Sequence, residues 1–190
     1  MSNFLSPDFC FNLIAKAFSD EEHPAYCQVG TVDLKNHPQL RTVHVHYIAE
    51  LKALAINTHT KSAKWQHLKK NPILSGCYLD EFRQIQFRWE SKTTLIHKNH
   101  PLLQEIWLKM RAEVRTAYWL DYKKLSMDDK LPDTINVSGR PPTHGVIICT
   151  PYLWNVYELN EGNYLKGVST LHTLKGKTWH SKVISIVTGK

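Results

Sequence analysis

The sequence predicts a mainly β protein, built as a small closed or split β-barrel with flanking helices. Short segments rich in Val, Ile, Thr and aromatic residues recur along the chain, and turn-forming sequences separate them. Segments with helical spacing lie between groups of strands rather than after every strand, which argues against a parallel βαβ sheet. With 190 residues, of which 42% are hydrophobic, the chain can bury one core without disulfides. We therefore expect one domain over residues 1–190.

The first predicted element is an N-terminal amphipathic helix within residues 1–22. Ser6 is placed to cap it, Pro7 suits its first turn, and apolar residues follow at helical spacing up to about Asp20. Three strands are predicted next, at residues 25–34, 40–48 and 51–57. Their short connections are typical of an antiparallel meander.

The rest of the chain combines two helical segments with further strands. Helical spacing predicts a short helix over 62–70, which ends before Pro72, and an inserted helix within 99–124 whose apolar period runs over 101–118. Residues 125–142 are rich in Asp, Gly and Pro, which indicates a long loop. The remaining strands are predicted at 73–79, 83–96, 146–149, 154–159 and 179–187.

The charge balance limits the possible partners. There are 24 Lys and Arg against 17 Asp and Glu, a net charge of +7 with His neutral, so anionic partners are favoured. The basic residues are spread along the chain instead of forming one stripe, which disfavours nucleic acid. No apolar run is long enough to cross a bilayer, and the N-terminus lacks a basic-then-apolar leader. We expect a cytoplasmic protein that binds a small molecule and neither membrane nor nucleic acid.

The densest group of polar residues lies at a junction from a strand to a helix. Asn57, Thr58, Ser62, Lys61 and Lys64 fall within this segment, where backbone N–H groups at the helix start are also free. Hydroxyl, ammonium and N–H donors together suit a phosphate. Taken alone, the segment is more typical of a capped helix with solvated lysines, because such helix starts are common.

The preceding strand carries a second set of polar side chains. Alternation places Arg41, Val43 and Val45 on one face, and places Thr42, His44 and His46 on the other. An arginine at the start of a strand can bind a phosphate through two parallel hydrogen bonds. The histidine pair has no third ligand at a suitable spacing, so we expect no metal. Motifs typical of hydrolases, such as Gly-x-Ser-x-Gly, are absent from the sequence.

Several short motifs occur in a fixed order along the chain. They are Arg41-x-Val43, Thr58 before Ser62-x-Lys64, a helix end at Asn71-Pro72, Gln86-x-Arg88-Trp89-Glu90, and Trp107-x-x-x-Arg111 followed by Trp119. Together they resemble the pyridoxamine 5'-phosphate oxidase family of FMN-binding split barrels. The resemblance spans most of the chain, and its specific part runs from Arg41 to Glu90.

The resemblance implies an FMN-dependent oxidoreductase in which a small-molecule donor transfers hydride to FMN. It also implies a homodimer that buries the cofactor between two subunits. By position, it implies cofactor-binding roles for Arg41, Thr42, Val43, His44, Asn57, Thr58, Ser62, Lys64 and Gln86. It further implies that Trp107 and Arg111 contact the substrate. A core aromatic residue with a solvated neighbour one helical turn away fits the same pair about equally well.

The chain departs from the family pattern at several positions. Ala63 stands where the family usually has the Arg of Ser-Arg-Lys, and Ser91 stands in place of a Gly. The Arg-x-His motif of true pyridoxamine phosphate oxidases is absent from residues 161–171. These departures leave the substrate open. A non-catalytic split barrel that binds FMN or another ligand is the alternative, and a nucleic-acid binder or a haem-handling protein is less favoured because no stripe of cations and no axial-ligand pattern is present.

Overall fold

Nine strands of the described residues pair into one antiparallel sheet, which confirms the predicted mainly β class with flanking helices. The computed structural model describes residues 6–18, 25–159 and 167–184. The helices are α1 (Pro7–Phe18), α2 (Ala63–Lys70), α3 (Pro101–Leu108) and α4 (Ala112–Lys123). The strands are β1 (Tyr26–Val32), β2 (Pro38–His44), β3 (His46–Ile48), β4 (Ala53–His59), β5 (Ile73–Asp80), β6 (Ile85–His97), β7 (His144–Glu158), β8 (Val168–Lys175) and β9 (Thr178–Ile184).

The sheet curves until its two ends meet. Its hydrogen-bonded order is β2-β1-β5-β6-β7-β4-β3, with β8 added beside β7 and β9 beside β8. β2 and β3 lie at opposite ends of this path, yet a single buried residue, Val45, joins them in the chain. β4 pairs with β7 and β3 but not with β2, so the barrel stays open between β2 and β4.

The main core fills the inside of the curved sheet. Helix α1 contributes Phe11 and α2 contributes Trp65, both almost fully buried. Trp89 of β6 and Trp154 of β7 pack against each other with ring centroids 5.4 Å apart, and Phe11 meets Trp154 edge-on at 5.4 Å. Large aromatic side chains dominate the burial of apolar surface, so they anchor the sheet to both helices.

A second, smaller core lies between the sheet and α3. Leu103 and Ile106 of this helix pack against Ala55 of β4 and Ile148 of β7. The small alanine side chains of β4 let the helix approach the sheet closely. This contact places the end of α3, and the start of α4 after it, near the opening between β2 and β4.

The inserted helical segment differs from its prediction. The single helix expected over 101–118 is two helices, since the chain leaves helical geometry at Arg111, whose ψ of 146° is extended. Apolar spacing continues through the break because Met110 is buried, so periodicity alone gives no sign of it. Tertiary hydrogen bonds hold the two helices, as the indole of Trp107 donates to the Val137 carbonyl and that of Trp119 to the Gly139 carbonyl.

Residues 125–142 contain turns and no helix or strand. Carbonyls near their end accept the two indole hydrogen bonds, so this loop is fastened to both α3 and α4. The loop therefore forms part of the support of the helical segment.

The last strands also differ from their prediction. The two strands expected at 146–149 and 154–159 are one strand, β7, because a bulge at Tyr152 accommodates Pro151. Strand β8 is not predicted by the sequence pattern. It forms a hairpin with β9 through Gly176, whose positive φ of 62° suits the first position of a two-residue turn. Residues 19–22 of the predicted first helix and 185–187 of the predicted last strand lie outside the described residues.

We expect Gly76→Ala to destabilise the protein by about 1 to 3 kcal/mol. A Cβ atom at Gly76 would overlap the indole of Trp89, which lies in the middle of the main core. Urea unfolding followed by fluorescence measures the change. The control is Gly176→Asn, where no atom lies within 4 Å and asparagine tolerates the positive φ. Equal stability of Gly76→Ala and the wild type would contradict the packing described here.

Candidate functional site

A cavity of about 580 Å³ lies at the opening between β2 and β4. Strands β2, β3 and β4, helix α2, and the residues between α3 and α4 form its walls. Its size is within the range of small-molecule sites in proteins. The edge of β2 that faces away from β1 has no strand partner among the described residues, so backbone donors and acceptors are available there.

The cavity wall is positively charged. Lys64, Lys109 and Arg111 line it, and none of the described lining residues is Asp or Glu. The two cations from the α3–α4 junction have carboxylate partners nearby, at 2.7 Å between Lys109 and Glu105 and at 3.0 Å between Arg111 and Glu113. These two pairs are exposed, so each contributes little to stability. Lys64 has no carboxylate partner in the described part of the chain.

Lys64 is held at the start of α2 by a group of hydroxyls. Its Nζ donates to the Thr58 Oγ1 at 2.9 Å, and the Ser62 hydroxyl lies 3.0 Å from the same oxygen. Ser62 is the N-cap residue of α2, but its side chain does not cap the helix. The Ser62 hydroxyl therefore does not cap the positive end of the helix dipole, which lies next to the ammonium group of Lys64.

Arg41 lies within electrostatic reach of Lys64. Burial lowers the pKa of Lys64, and the positive charge of Arg41 lowers it further. Burial also lowers the pKa of Arg41. The guanidinium of Arg41 donates to the Thr31 hydroxyl at 2.7 Å and has no carboxylate partner among the residues described. Two partly buried cations thus lie within electrostatic reach of each other, and neither has a carboxylate partner among the described residues, which is the arrangement expected of an anion site.

His44 and His46 form a neutral pair on the cavity wall. Their rings meet edge to face with centroids 4.4 Å apart. Burial lowers the pKa of His46 to about 4, with contributions from His44 and Lys109. Burial, with the charge of Arg111, also lowers the pKa of His44, whose buried Nε2 has no hydrogen-bond partner in the described structure. At neutral pH both rings are uncharged, so they add polar atoms to the cavity without adding charge.

Asn57 lines the cavity and is held from behind by a buried histidine. His144, which is fully buried, lies with its Nε2 at 2.8 Å from the Asn57 Oδ1. Burial lowers the pKa of His144 to about 3, and Arg140 contributes to the shift. Because His144 stays neutral, the hydrogen bond can fix the orientation of the Asn57 amide at neutral pH.

The structure brings most of the predicted site residues to one place. Thr42, Val43, His44, Asn57, Lys64 and Arg111 line the cavity. Thr58, Ser62 and Arg41 do not line it. Thr58 accepts the Lys64 hydrogen bond and contacts the Ser62 hydroxyl, and Arg41 is within electrostatic reach of Lys64. Three consecutive residues of β2 thus line the cavity, although successive side chains alternate along a strand.

Trp107 and Gln86 do not line this cavity either. Trp107 is fully buried and contacts the rings of Tyr118 and His144, so its indole packs inside the protein. Gln86 lies on β6, opposite Leu79 and Tyr157. Trp107 is therefore placed to support the wall from behind, and Gln86 lies elsewhere on the sheet.

Other lining residues carry no signal in the sequence. Lys109 and Met110 reach the cavity because the helix breaks after α3, and Tyr118 does so because α4 turns back toward β4. None of these features has a local motif. Residues 6–18, 25–159 and 167–184 contain no group of three His, Cys, Asp or Glu side chains that could hold a metal ion. In the same part of the chain, no helix has the length and apolar character needed to span a membrane.

Comparison with known proteins agrees with the predicted resemblance. Residues 10–97 match the model of the family described as "Pyridoxamine 5'-phosphate oxidase, FMN-binding domain". This match covers β1 to β6, which include the strands and helix that carry Arg41, Asn57 and Lys64. The predicted resemblance to this family is confirmed. The sequence has no match among curated proteins.

Solved structures share the fold at low sequence identity. A pyridoxamine 5'-phosphate oxidase-related, FMN binding protein from Nostoc punctiforme PCC 73102 has a TM-score of 0.73 and 20% identity, covering 91% of this chain and 95% of that one. PhzG from Burkholderia lata 383, in complex with tetrahydrophenazine-1-carboxylic acid, has a TM-score of 0.72 and 14% identity, covering 97% and 94%. A Clostridium acetobutylicum protein of the pyridoxinephosphate oxidase family has a TM-score of 0.54 and 16% identity, covering 86% and 94%. The chain therefore has the split-barrel fold of these proteins.

We expect the stability of the protein to fall as the pH drops from about 6.5 toward 4. His46 is neutral when folded, because its pKa is lowered from 6.5 to about 4, but it takes up a proton when the chain unfolds in this range. The unfolded state thus binds more protons than the folded state. For each unit by which the pH drops, this residue lowers the free energy of unfolding by up to about 1.4 kcal/mol. His44, His144 and His172, whose pKa values are also lowered, act in the same direction.

Urea unfolding at about pH 7 and about pH 5 measures this dependence. His46→Asn removes one titrating group, so its loss of stability between the two pH values should be smaller than that of the wild type. The same substitution at the exposed His180 is the control. An identical pH dependence in His46→Asn and the wild type would show that His46 is not held neutral by the fold.

Proposed function

We propose that this chain, which matches the FMN-binding family over residues 10–97, binds FMN in the cavity between β2 and β4 and acts as an FMN-dependent oxidoreductase. One observation carries the proposal: Arg41 and Lys64 lie within electrostatic reach of each other with no carboxylate partner among the described residues. Holding two partly buried like charges together is unfavourable unless an anion joins them. A phosphate group with two negative charges suits this pair.

The residues around the cavity fit the parts of FMN. Arg41 and Lys64 would hold the phosphate, with the start of α2 and the Ser62 hydroxyl beside them. The free edge of β2 and the amide of Asn57 would meet the polar edge of the flavin ring. When bound, FMN supplies the acceptor for a hydride from a small-molecule donor.

The other lining residues suit an anionic donor. Lys109 and Arg111 bring positive charge to the wall, and their exposed carboxylate partners can be displaced at little cost. The neutral rings of His44 and His46 keep hydrogen-bonding atoms near this charge. Tyr118 adds an aromatic face to the same wall. We therefore propose a small, negatively charged, partly apolar substrate.

A non-catalytic FMN-binding protein is the second candidate. The position of Trp107 favours it, because this residue is buried in the core and leaves Arg111 as the single wall residue of the implied substrate pair. Purified protein that binds FMN, but whose flavin is reduced by no tested anionic donor and by no nicotinamide cofactor, would support this candidate over the oxidoreductase.

We also propose that the protein is a homodimer with a cavity completed by the second copy. Gln86 does not line the cavity of its own chain, although the family resemblance implies that it contacts FMN. If a second copy brings its Gln86 amide to this cavity, the residue can contact FMN without lining the cavity of its own chain. Analytical ultracentrifugation should then give twice the chain mass of 22.0 kDa. A species of single-chain mass in the presence of saturating FMN would refute the dimer.

We expect Arg41→Ala and Lys64→Ala each to weaken FMN binding by about tenfold or more, because each removes a charged hydrogen bond worth about 1.5 to 3 kcal/mol. Fluorescence titration with FMN measures the dissociation constant. Titration with riboflavin, which has no phosphate, should show much smaller losses. Lys61→Ala is the matched control, since Lys61 lies on the same turn but is exposed and outside the cavity. Unchanged FMN affinity in both site variants would remove the proposed phosphate site.

A further inference from the structure

Arg41 is held by a chain of two hydrogen bonds that ends on helix α2. Its Nη1 donates to the Thr31 Oγ1 at 2.7 Å, and the same oxygen lies 3.0 Å from the Nδ1 of His67. Thr31 is 3% exposed and His67 is 9% exposed. Neither residue lines the cavity, and neither belongs to the motifs that predict the site.

The direction of each hydrogen bond follows from the chemistry of the groups. Arginine has only donors, so the Thr31 oxygen accepts from Arg41. The buried Thr31 hydroxyl hydrogen then needs an acceptor, and in the described structure Nδ1 of His67 is the atom at hydrogen-bond distance. His67 therefore accepts at Nδ1 and carries its proton on Nε2. The chain runs from Arg41 through Thr31 to the Nδ1 of His67.

The chain ties Arg41 to the element that carries the other cation. His67 and Lys64 are three residues apart on α2, so they occupy neighbouring positions on one side of this helix. Thr31 lies on β1, which pairs with β2, the strand that carries Arg41. This chain of hydrogen bonds thus joins β1 and β2 to α2, the helix that carries Lys64.

We infer that Thr31 and His67 are positioning residues, which hold the Arg41 guanidinium beside Lys64 so that one phosphate meets both cations. The inference rests on the proposed function of this cavity. Only one of the five N–H donors of Arg41 is used by Thr31, so the others stay available for the phosphate. A guanidinium that is already oriented loses less conformational freedom on binding than a free one.

Thr31→Val tests the inference, because it removes the hydroxyl and keeps the branched shape that suits a strand. The dissociation constant for FMN should rise about 3- to 10-fold, while that for riboflavin should stay unchanged. Thr31→Ser keeps a hydroxyl and should restore most of the affinity for FMN. In the Arg41→Ala background, Thr31→Val should have no further effect, since the group that it positions is gone.

Two further variants separate positioning from folding. Thr93→Val is the matched control: Thr93 is also a buried strand residue, but its hydroxyl donates to the Pro72 carbonyl away from the cavity. It should leave FMN affinity unchanged. At the other end of the chain, His67→Asn can place an acceptor near the position of Nδ1, and it should weaken FMN binding less than His67→Leu.

Inorganic phosphate makes the test independent of the flavin. It should raise the thermal midpoint of the wild type, and it should raise that of Thr31→Val less at the same concentration. If phosphate binds in this Thr31-dependent way and FMN does not bind, the inference holds and the proposed function fails. If FMN binds and Thr31→Val changes FMN and riboflavin affinity equally or not at all, the inference fails and the proposed FMN site stands. A wild type that binds neither overturns both.

Discussion

The peptide link between β2 and β3 through Val45 is the constraint on which the rest of the molecule depends. These strands are the two ends of the hydrogen-bonded path, and one buried residue joins them, so the sheet has to curve until its ends meet. The backbone itself therefore closes the barrel at this corner. The strands β2 and β4 are not paired by backbone hydrogen bonds. The cavity and the free edge of β2 both follow from this. The tryptophans packed inside the sheet supply the burial that stabilises so strongly curved a structure.

The charges at the cavity act against this stability. Arg41 and Lys64 are both partly buried, and burial disfavours the charged form of each. Proteins commonly contain destabilising interactions at a ligand-binding site, and packing elsewhere in the core compensates for them. Here a hydrogen bond on each side of the opening offsets part of this cost. The Thr31 hydroxyl of β1 accepts from Arg41, and the Thr58 hydroxyl of β4 accepts from Lys64. Binding of an anion would reverse the sign of the interaction and stabilise the folded state.

Much of the fold follows from local patterns, whereas the supports of the site do not. Alternation and turn sequences predict β1, β5 and β6 to within a few residues, and helical spacing predicts α2. The break between α3 and α4 is missed because buried Met110 keeps the apolar period intact. His67 and His144 are missed for a different reason. Their hydrogen bonds join residues 36 and 87 positions apart, and no local pattern encodes such contacts.

The two indole hydrogen bonds to the long loop have a consequence for how this chain can vary. They fix the Val137 and Gly139 carbonyls, and with them the last part of the loop, to α3 and α4. Residues 127–134 come before both anchors and are almost all exposed, so changes of length there move neither carbonyl. Insertions and deletions among relatives should therefore collect in that stretch, and the spacing between Val137 and β7 should be kept. The same stretch is the natural place to attach a label without disturbing the cavity.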